Sequence, residues 1–309
     1  FTSSKNKAKT KSSHVCSGLI GRSWALVFIS GGFSVRIYDA QPGMASSALH
    51  SIRSVSVSAP GGCLRENCSA QPLRSVLSSH GTDRSPECVF EDLAVKQGVF
   101  LDVECLVGSD VILSSSTSCL VPSDVFSKVQ HKSRCMVAHP VNPPYLVKLV
   151  ELVPHPETSS SVMDTAHALM TQVGQVPVRL HRELDGFALN RIQMAVIAES
   201  WRLVQDGVIS VKDVDLVMSE GLGMRYAFIG PMETMHLNAP QGLGDYMQRY
   251  GPGIQRVLSS FGPTPDFFSD QAQGIIAEMS ELIPPEQLSA RIERRDQLLS
   301  QLAQLKKDH

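Results

Sequence analysis

Neither sign of charge dominates this chain. Its 28 basic and 30 acidic residues leave a formal net charge of -2 over 309 residues, which argues against broad nucleic-acid or membrane-surface binding. No apolar run approaches the ~20 residues of a membrane-spanning helix. The stretch from Trp24 to Ile29 is too short even for the core of a secretory signal. The seven cysteines are odd in number and scattered, with no paired CxxC spacing. They exclude a disulfide framework and a zinc site, and read as reduced thiols of a cytoplasmic protein. What the chain does have is 42% apolar residues, enough for a sizeable core. Its length suits two domains of roughly 100–200 residues each.

Along the chain the order is an α/β half followed by an all-helical half. Residues 1–13 are Ser, Thr and Lys with almost nothing apolar, and read as a mobile, solvated tail. Gly18 and Gly21 open a helix carrying Trp24, Ala25, Val27 and Phe28, ended by Gly31-Gly32. A strand through Val35 and Ile37 follows and stops at Asp39. Residues 43–86 are rich in Ser, Gly, Pro and Cys without a sustained period, and are expected to be irregular. Order returns with a short helix around Leu93 to Leu101 and strands at 111–113, 135–138, 148–153 and 176–180. A helix through Val162, Ala166, Leu169 and Val173, ended by Gly174, precedes the last strand. Beyond Asp185-Gly186-Phe187, amphipathic helices are predicted at 188–204, 211–219, 243–261 and 287–305. The fold expected is an α/β Rossmann-like N-terminal domain, residues 1–184, with a complete or an incomplete sheet on its first-strand side as the open alternatives. An all-α domain, residues 185–309, follows it.

Two places carry chemistry. Cys16-Ser17-Gly18-Leu19-Ile20-Gly21 has the second and third glycines of a dinucleotide-binding turn, with Cys16 at the first position. Such a turn lets backbone amides approach a pyrophosphate at a helix N-terminus. Asp39, 21 residues beyond Gly18, sits where an acid bonds the adenosine ribose and repels a 2′-phosphate. Lys11-Ser12-Ser13-His14-Val15 is a poor match to the apolar central strand such a turn requires. The second place is Ala138-His139-Pro140-Val141-Asn142-Pro143-Pro144, followed by Glu151 inside Leu149-Val150-Glu151-Leu152-Val153. A lone carboxylate in an apolar strand is costly to bury unless paired, and His139 is its natural partner. A His–Glu pair suits a general base acting on an alcohol. The alternatives are a structural histidine and a strand-edge glutamate. Ser118, in the serine run after the 111–113 strand, reads as a turn residue, and Asn190 as a helix-face amide.

Together these residues resemble the 3-hydroxyacyl-CoA dehydrogenase superfamily, in its lambda-crystallin (L-gulonate 3-dehydrogenase) branch. The resemblance is carried by Leu113 to Leu120, Ala138 to Pro144, Leu149 to Glu157 and Met218 to Pro231, with Ile20 to Trp24 and Tyr38-Asp39 in support. It implies an NAD-dependent enzyme, with His139 as base and Glu151 as its partner. Ser118 and Asn190 would hold the substrate, and Gly18, Leu19, Ile20, Gly21, Asp39, Glu91, Lys96 and Asn142 the NAD. It also implies a homodimer through the helical half and a small hydroxy acid as substrate; no metal is expected, since the cysteines lack a zinc spacing. Arg225, in Gly221-Leu222-Gly223-Met224-Arg225-Tyr226, offers a planar fork for a carboxylate, or pairs on the surface with Glu220 or Glu233. The chain departs from the family in residues 1–16 and 43–86. A 3-hydroxyacyl-CoA dehydrogenase and a non-enzymatic, crystallin-like protein with impaired NAD binding are the other readings.

Overall fold

A computed structural model describes residues 12–38, 43–56, 68–70, 84–87 and 91–306. The chain packs as two units that divide after Arg191. In the first unit the strands are β1 (Ser12–Cys16), β2 (Ser34–Tyr38), β3 (Cys68–Ala70), β4 (Arg84–Glu87), β5 (Ile112–Ser115), β6 (Cys135–Pro140), β7 (Leu149–Pro154) and β8 (Val176–Arg179). They form the ladders β1-β2-β3 and β4-β5-β6-β7-β8, and β1 lies beside β4. The first six strands therefore follow the order 3-2-1-4-5-6 of a doubly wound dinucleotide-binding sheet. Pairing is parallel within each ladder except between β6 and β7. Residues 141–148 are too short for the crossover a parallel pair needs, so β7 runs back along β6. The helix α5 (Ser160–Gln172) restores a parallel neighbour in β8, with Gly174 at φ +79° making the turn between them.

Helices cover both faces. On one face α1 (Leu19–Ser30), α2 (Met44–Ser56) and α5 bury Trp24, Phe28, Ile52 and Met170 against Met136, Ala138, Val150 and Leu152. On the other, α3 (Leu93–Glu104) and α4 (Pro122–Val125) bury Phe100 and Val125 with Leu113, Val137 and Val153. Each such large side chain contributes roughly 1.5–3 kcal/mol on burial.

Of the two alternatives for the first strand, the structure has the strand in the sheet. Ser12 and Ser13, assigned to the tail, pair with Ser34 and Val35 in β1. Ladder pairing overrides the weak local propensity of this strand. The expectation of irregular structure over 43–86 is corrected at α2, β3 and β4. Ala45, Ala48, Leu49 and Ile52 in α2 recur at helical spacing and meet the first core, a pattern that the intervening serines mask. Residues 1–11 and Asp39 lie outside the described residues.

The second unit is helical, continuing α6 (Leu189–Gln205) through α7 (Val211–Leu216), a π turn (Val217–Leu222), α8 (Gly223–Tyr226), α9 (Pro231–Leu237), α10 (Leu243–Leu258), α11 (Asp270–Leu282) and α12 (Leu288–Leu305). Ser210 and Ser269 cap α7 and α11 by accepting from the amides of Asp213 and Ala272. The sequence reading missed α8, α9 and α11, although Pro231 at the first position of α9 is a helix-start signal. No helix among the described residues is long and apolar enough to cross a membrane.

Candidate active site

Strand parity brings the central pair together. Along β6, Met136 and Ala138 enter the first core while Cys135 and Val137 enter the second, so His139 projects toward the second face. Along β7, Val150 and Leu152 take the first core and Val153 the second, which gives Glu151 the same side. The antiparallel register sets His139 opposite Glu151. Both are buried, at 4% and 1% exposure, and His139 Nδ1 lies 2.7 Å from Glu151 Oε2.

The carboxylate is fully engaged. Its Oε1 accepts the amides of Ala188 at 2.8 Å and Leu189 at 2.9 Å. Burial alone would raise the Glu151 carboxyl. The bonds from His139 and from the Leu189 and Ala188 amides outweigh it and hold the group below the ordinary glutamate range. An ionised carboxylate only accepts, so Nδ1 donates and the imidazole lone pair sits on Nε2. That is the arrangement of a general base.

A second cluster lies at the C-terminal end of β5. Glu91 accepts from the Thr117 hydroxyl and, at 2.9 Å, from the Ser118 amide. The other Glu91 oxygen is 3.3 Å from Lys96 Nζ, and the lysine is buried at 1% exposure. Burial raises the Glu91 carboxyl, but Thr117, Ser118 and Lys96 together bring it below its ordinary value. Asn190 Nδ2 donates to the Ser118 carbonyl at 2.6 Å. The segment 188–190 therefore joins the two clusters, with the Ala188 and Leu189 amides on Glu151 and the Asn190 amide on Ser118.

The NAD turn fits its group. Gly18 caps the 12-residue α1 in extended geometry with no side-chain cap and no acid in the first turn. Gly18 and Leu19 are exposed, Ile20 partly and Gly21 not. An uncapped helix N-terminus opening on glycine accepts a phosphate. Cys16 ends β1, paired with Tyr38. Trp24 Nε1 donates to Ser116 Oγ at 3.1 Å and ties α1 to the Ser118 loop. Asn142 is exposed just beyond β6. Arg225 lies in the second unit, in α8 after the π turn rather than in the open turn expected from its glycines. It is exposed, and Glu220, one of its expected partners, is bonded by Ser219.

Sequence reasoning missed Thr117 and the paired amides of Ala188 and Leu189. Thr117 looked like one more residue of a serine-rich turn, and backbone donors carry no side-chain signal. Among the described residues no cluster of three potential metal ligands occurs.

Comparison with known proteins identifies the family. Residues 13–184 match the family 3-hydroxyacyl-CoA dehydrogenase, NAD binding domain, and residues 186–276 match 3-hydroxyacyl-CoA dehydrogenase, C-terminal domain. Lambda-crystallin of Oryctolagus cuniculus is 50% identical over 304 residues, 95% of each chain. An L-carnitine dehydrogenase of Oceanobacillus iheyensis is 30% identical over 243 residues, 77% of this chain and 79% of its own. The solved 5-formyl-3-hydroxy-2-methylpyridine 4-carboxylic acid 5-dehydrogenase, described as an NAD+-dependent dismutase, shares the fold. Its TM-score is 0.76 at 23% identity, covering 96% of this chain and 98% of that one. The chain is thus a member of the NAD-dependent 3-hydroxyacyl-CoA dehydrogenase family of oxidoreductases.

Proposed function

We propose that this chain oxidises the 3-hydroxyl of a small free hydroxy acid, with L-gulonate as substrate and 3-dehydro-L-gulonate as product. The observation that carries the reading is the buried His139–Glu151 pair, which leaves Nε2 as the basic atom. Nε2 takes the hydroxyl proton, and Glu151 stabilises the imidazolium that forms. The Ser118 hydroxyl and the second Nδ2 hydrogen of Asn190 hold the substrate hydroxyl or carboxylate, the first Nδ2 hydrogen being engaged with the Ser118 carbonyl. Gly18, Leu19, Ile20 and Gly21 receive the cofactor pyrophosphate, Asp39 its ribose, and Glu91, Lys96 and Asn142 its remaining contacts. Bound NAD supplies the acceptor for the hydrogen that leaves the carbinol carbon with its electron pair.

NAD is expected over NADP, because Asp39 repels a 2′-phosphate and Ala40, Gln41 and Pro42 supply no cation to offset it. The ratio of kcat/KM for the two cofactors measures this. Equal values would remove Asp39 from the ribose.

Arg225 is assigned to the substrate carboxylate, which a bidentate fork recognises and a lysine does not copy. The resemblance to an L-carnitine dehydrogenase, named for a free hydroxy acid, supports that substrate class. Arg225→Lys is expected to raise KM for L-gulonate or 3-hydroxybutyrate severalfold while NADH affinity and any 3-hydroxyacyl thioester activity stay unchanged. If free-acid and thioester activities fall together, the arginine supports the fold instead. A thioester preferred from the start is the acyl-CoA reading. A folded chain that leaves NADH unbound is a structural protein.

The working form is assigned as a homodimer through the helical unit. In the single chain α6, α9, α10 and α12 bury no residue, and Ile192, Met194, Phe228 and Leu237 are exposed. Such apolar surface is what a second copy covers. The cytoplasm is the assigned compartment, where the free thiols of Cys105, Cys119 and Cys135 stay reduced.

A further inference from the structure

Phe187 stands in a conformation that its side chain disfavours. Its φ is +51°, the one positive value at a non-glycine among the described residues, in a region that bulky side chains avoid. Gly186 before it, at φ +71°, adopts such geometry freely. The two left-handed residues turn the chain so that the amides of Ala188 and Leu189 reach Glu151 Oε1. Glycine at position 187 would make the same turn with less strain, so the backbone does not explain the phenylalanine. The ring does. It is fully buried, shares the second core with Val137 and Val153, and lies 5.5 Å from the His139 ring, tilted by 57°. Strain retained beside a candidate base points to a role.

We propose that Phe187 is a positioning residue for the base: its ring walls the His139 imidazole, while its left-handed backbone places the amides that hold Glu151. The proposal rests on the reading of His139 as the base. One bond, from Nδ1 to Glu151, leaves the imidazole free to rock, and a rigid aromatic wall restricts that motion so that Nε2 keeps a single aim. Loss of the wall spares the bond and loosens the aim.

Phe187→Leu keeps apolar volume at the site, and Phe187→Gly relaxes the backbone; both remove the flat wall. The expected result is a kcat lowered about tenfold to ~100-fold, the scale that a misplacement of ~1 Å produces. KM and NADH affinity stay at wild-type values. In the cofactor-free protein, the downfield proton NMR signal of His139 Nδ1 broadens or moves in both variants. Wild-type kcat in a folded variant overturns the proposal. So does an unmoved proton signal with kcat, KM and melting temperature changing together, which is what core filling alone produces. Should Phe187→Gly fail to fold, Phe187→Leu decides. Failure of the underlying reading looks different, because His139→Gln then keeps its activity whatever the Phe187 variants do.

Discussion

Exchange of His139 for glutamine is expected to lower kcat by about two to four orders of magnitude, the usual weight of a positioned general base. The fold should persist. Glutamine can present an amide N–H to Glu151 and keep that buried carboxylate paired. An apolar replacement would strand the charge, at a cost of about 3–5 kcal/mol. NADH affinity should hold, because His139 is not among the residues assigned to the cofactor, which run from Gly18 at the N-cap of α1 to Asn142. Steady-state kcat, the circular dichroism spectrum and an NADH titration together measure the three statements. Activity near wild type would make His139 a structural residue.

Glu151→Gln should reduce kcat by a similar factor through a different route. The amides of Ala188 and Leu189 both donate to one Glu151 oxygen, so they claim the glutamine carbonyl. The glutamine NH2 is left facing His139 Nδ1 as a donor. The ring must then accept at Nδ1 and carry its proton on Nε2, where the lone pair was needed. A loss of about two to four orders of magnitude follows from the wrong tautomer. Activity near wild type would show that the two side chains do not act together.

Stability carries the same signature. Burial pushes the Glu151 carboxyl up, and the bonds from His139, Leu189 and Ala188 hold it below its ordinary value. A carboxyl so held contributes stability that is complete above its unfolded value of about 4.3. That contribution is lost as pH falls through the depressed folded value. Glu151→Gln removes it at every pH, so its melting temperature should decline less steeply than that of wild type below about pH 4. Parallel declines would mean that Glu151 is not held in this way.

Much of the site was legible because its side chains break local rules. Glu151 is an acid in an apolar strand, and His139 sits among prolines twelve residues before it. Antiparallel pairing across a short connection makes that separation a cross-strand contact. The parts that escaped notice follow rules set by tertiary structure. The weak first strand is held by β2 and by its place beside β4. In α2, Ser46, Ser47 and Ser51 interrupt and hide the spacing of Ala45, Ala48, Leu49 and Ile52. Phe187 has no sequence mark at all. Its left-handed backbone and the ring's place beside His139 are seen only in the folded chain.

The most direct measurement incubates the purified chain with NAD and L-gulonate and follows NADH with the 3-oxo acid. Equimolar appearance of both, with the rate in His139→Gln down by about two to four orders of magnitude, is the expected result. A chain that binds NADH yet forms none from any free hydroxy acid, or one in which His139→Gln works as well as wild type, would contradict it.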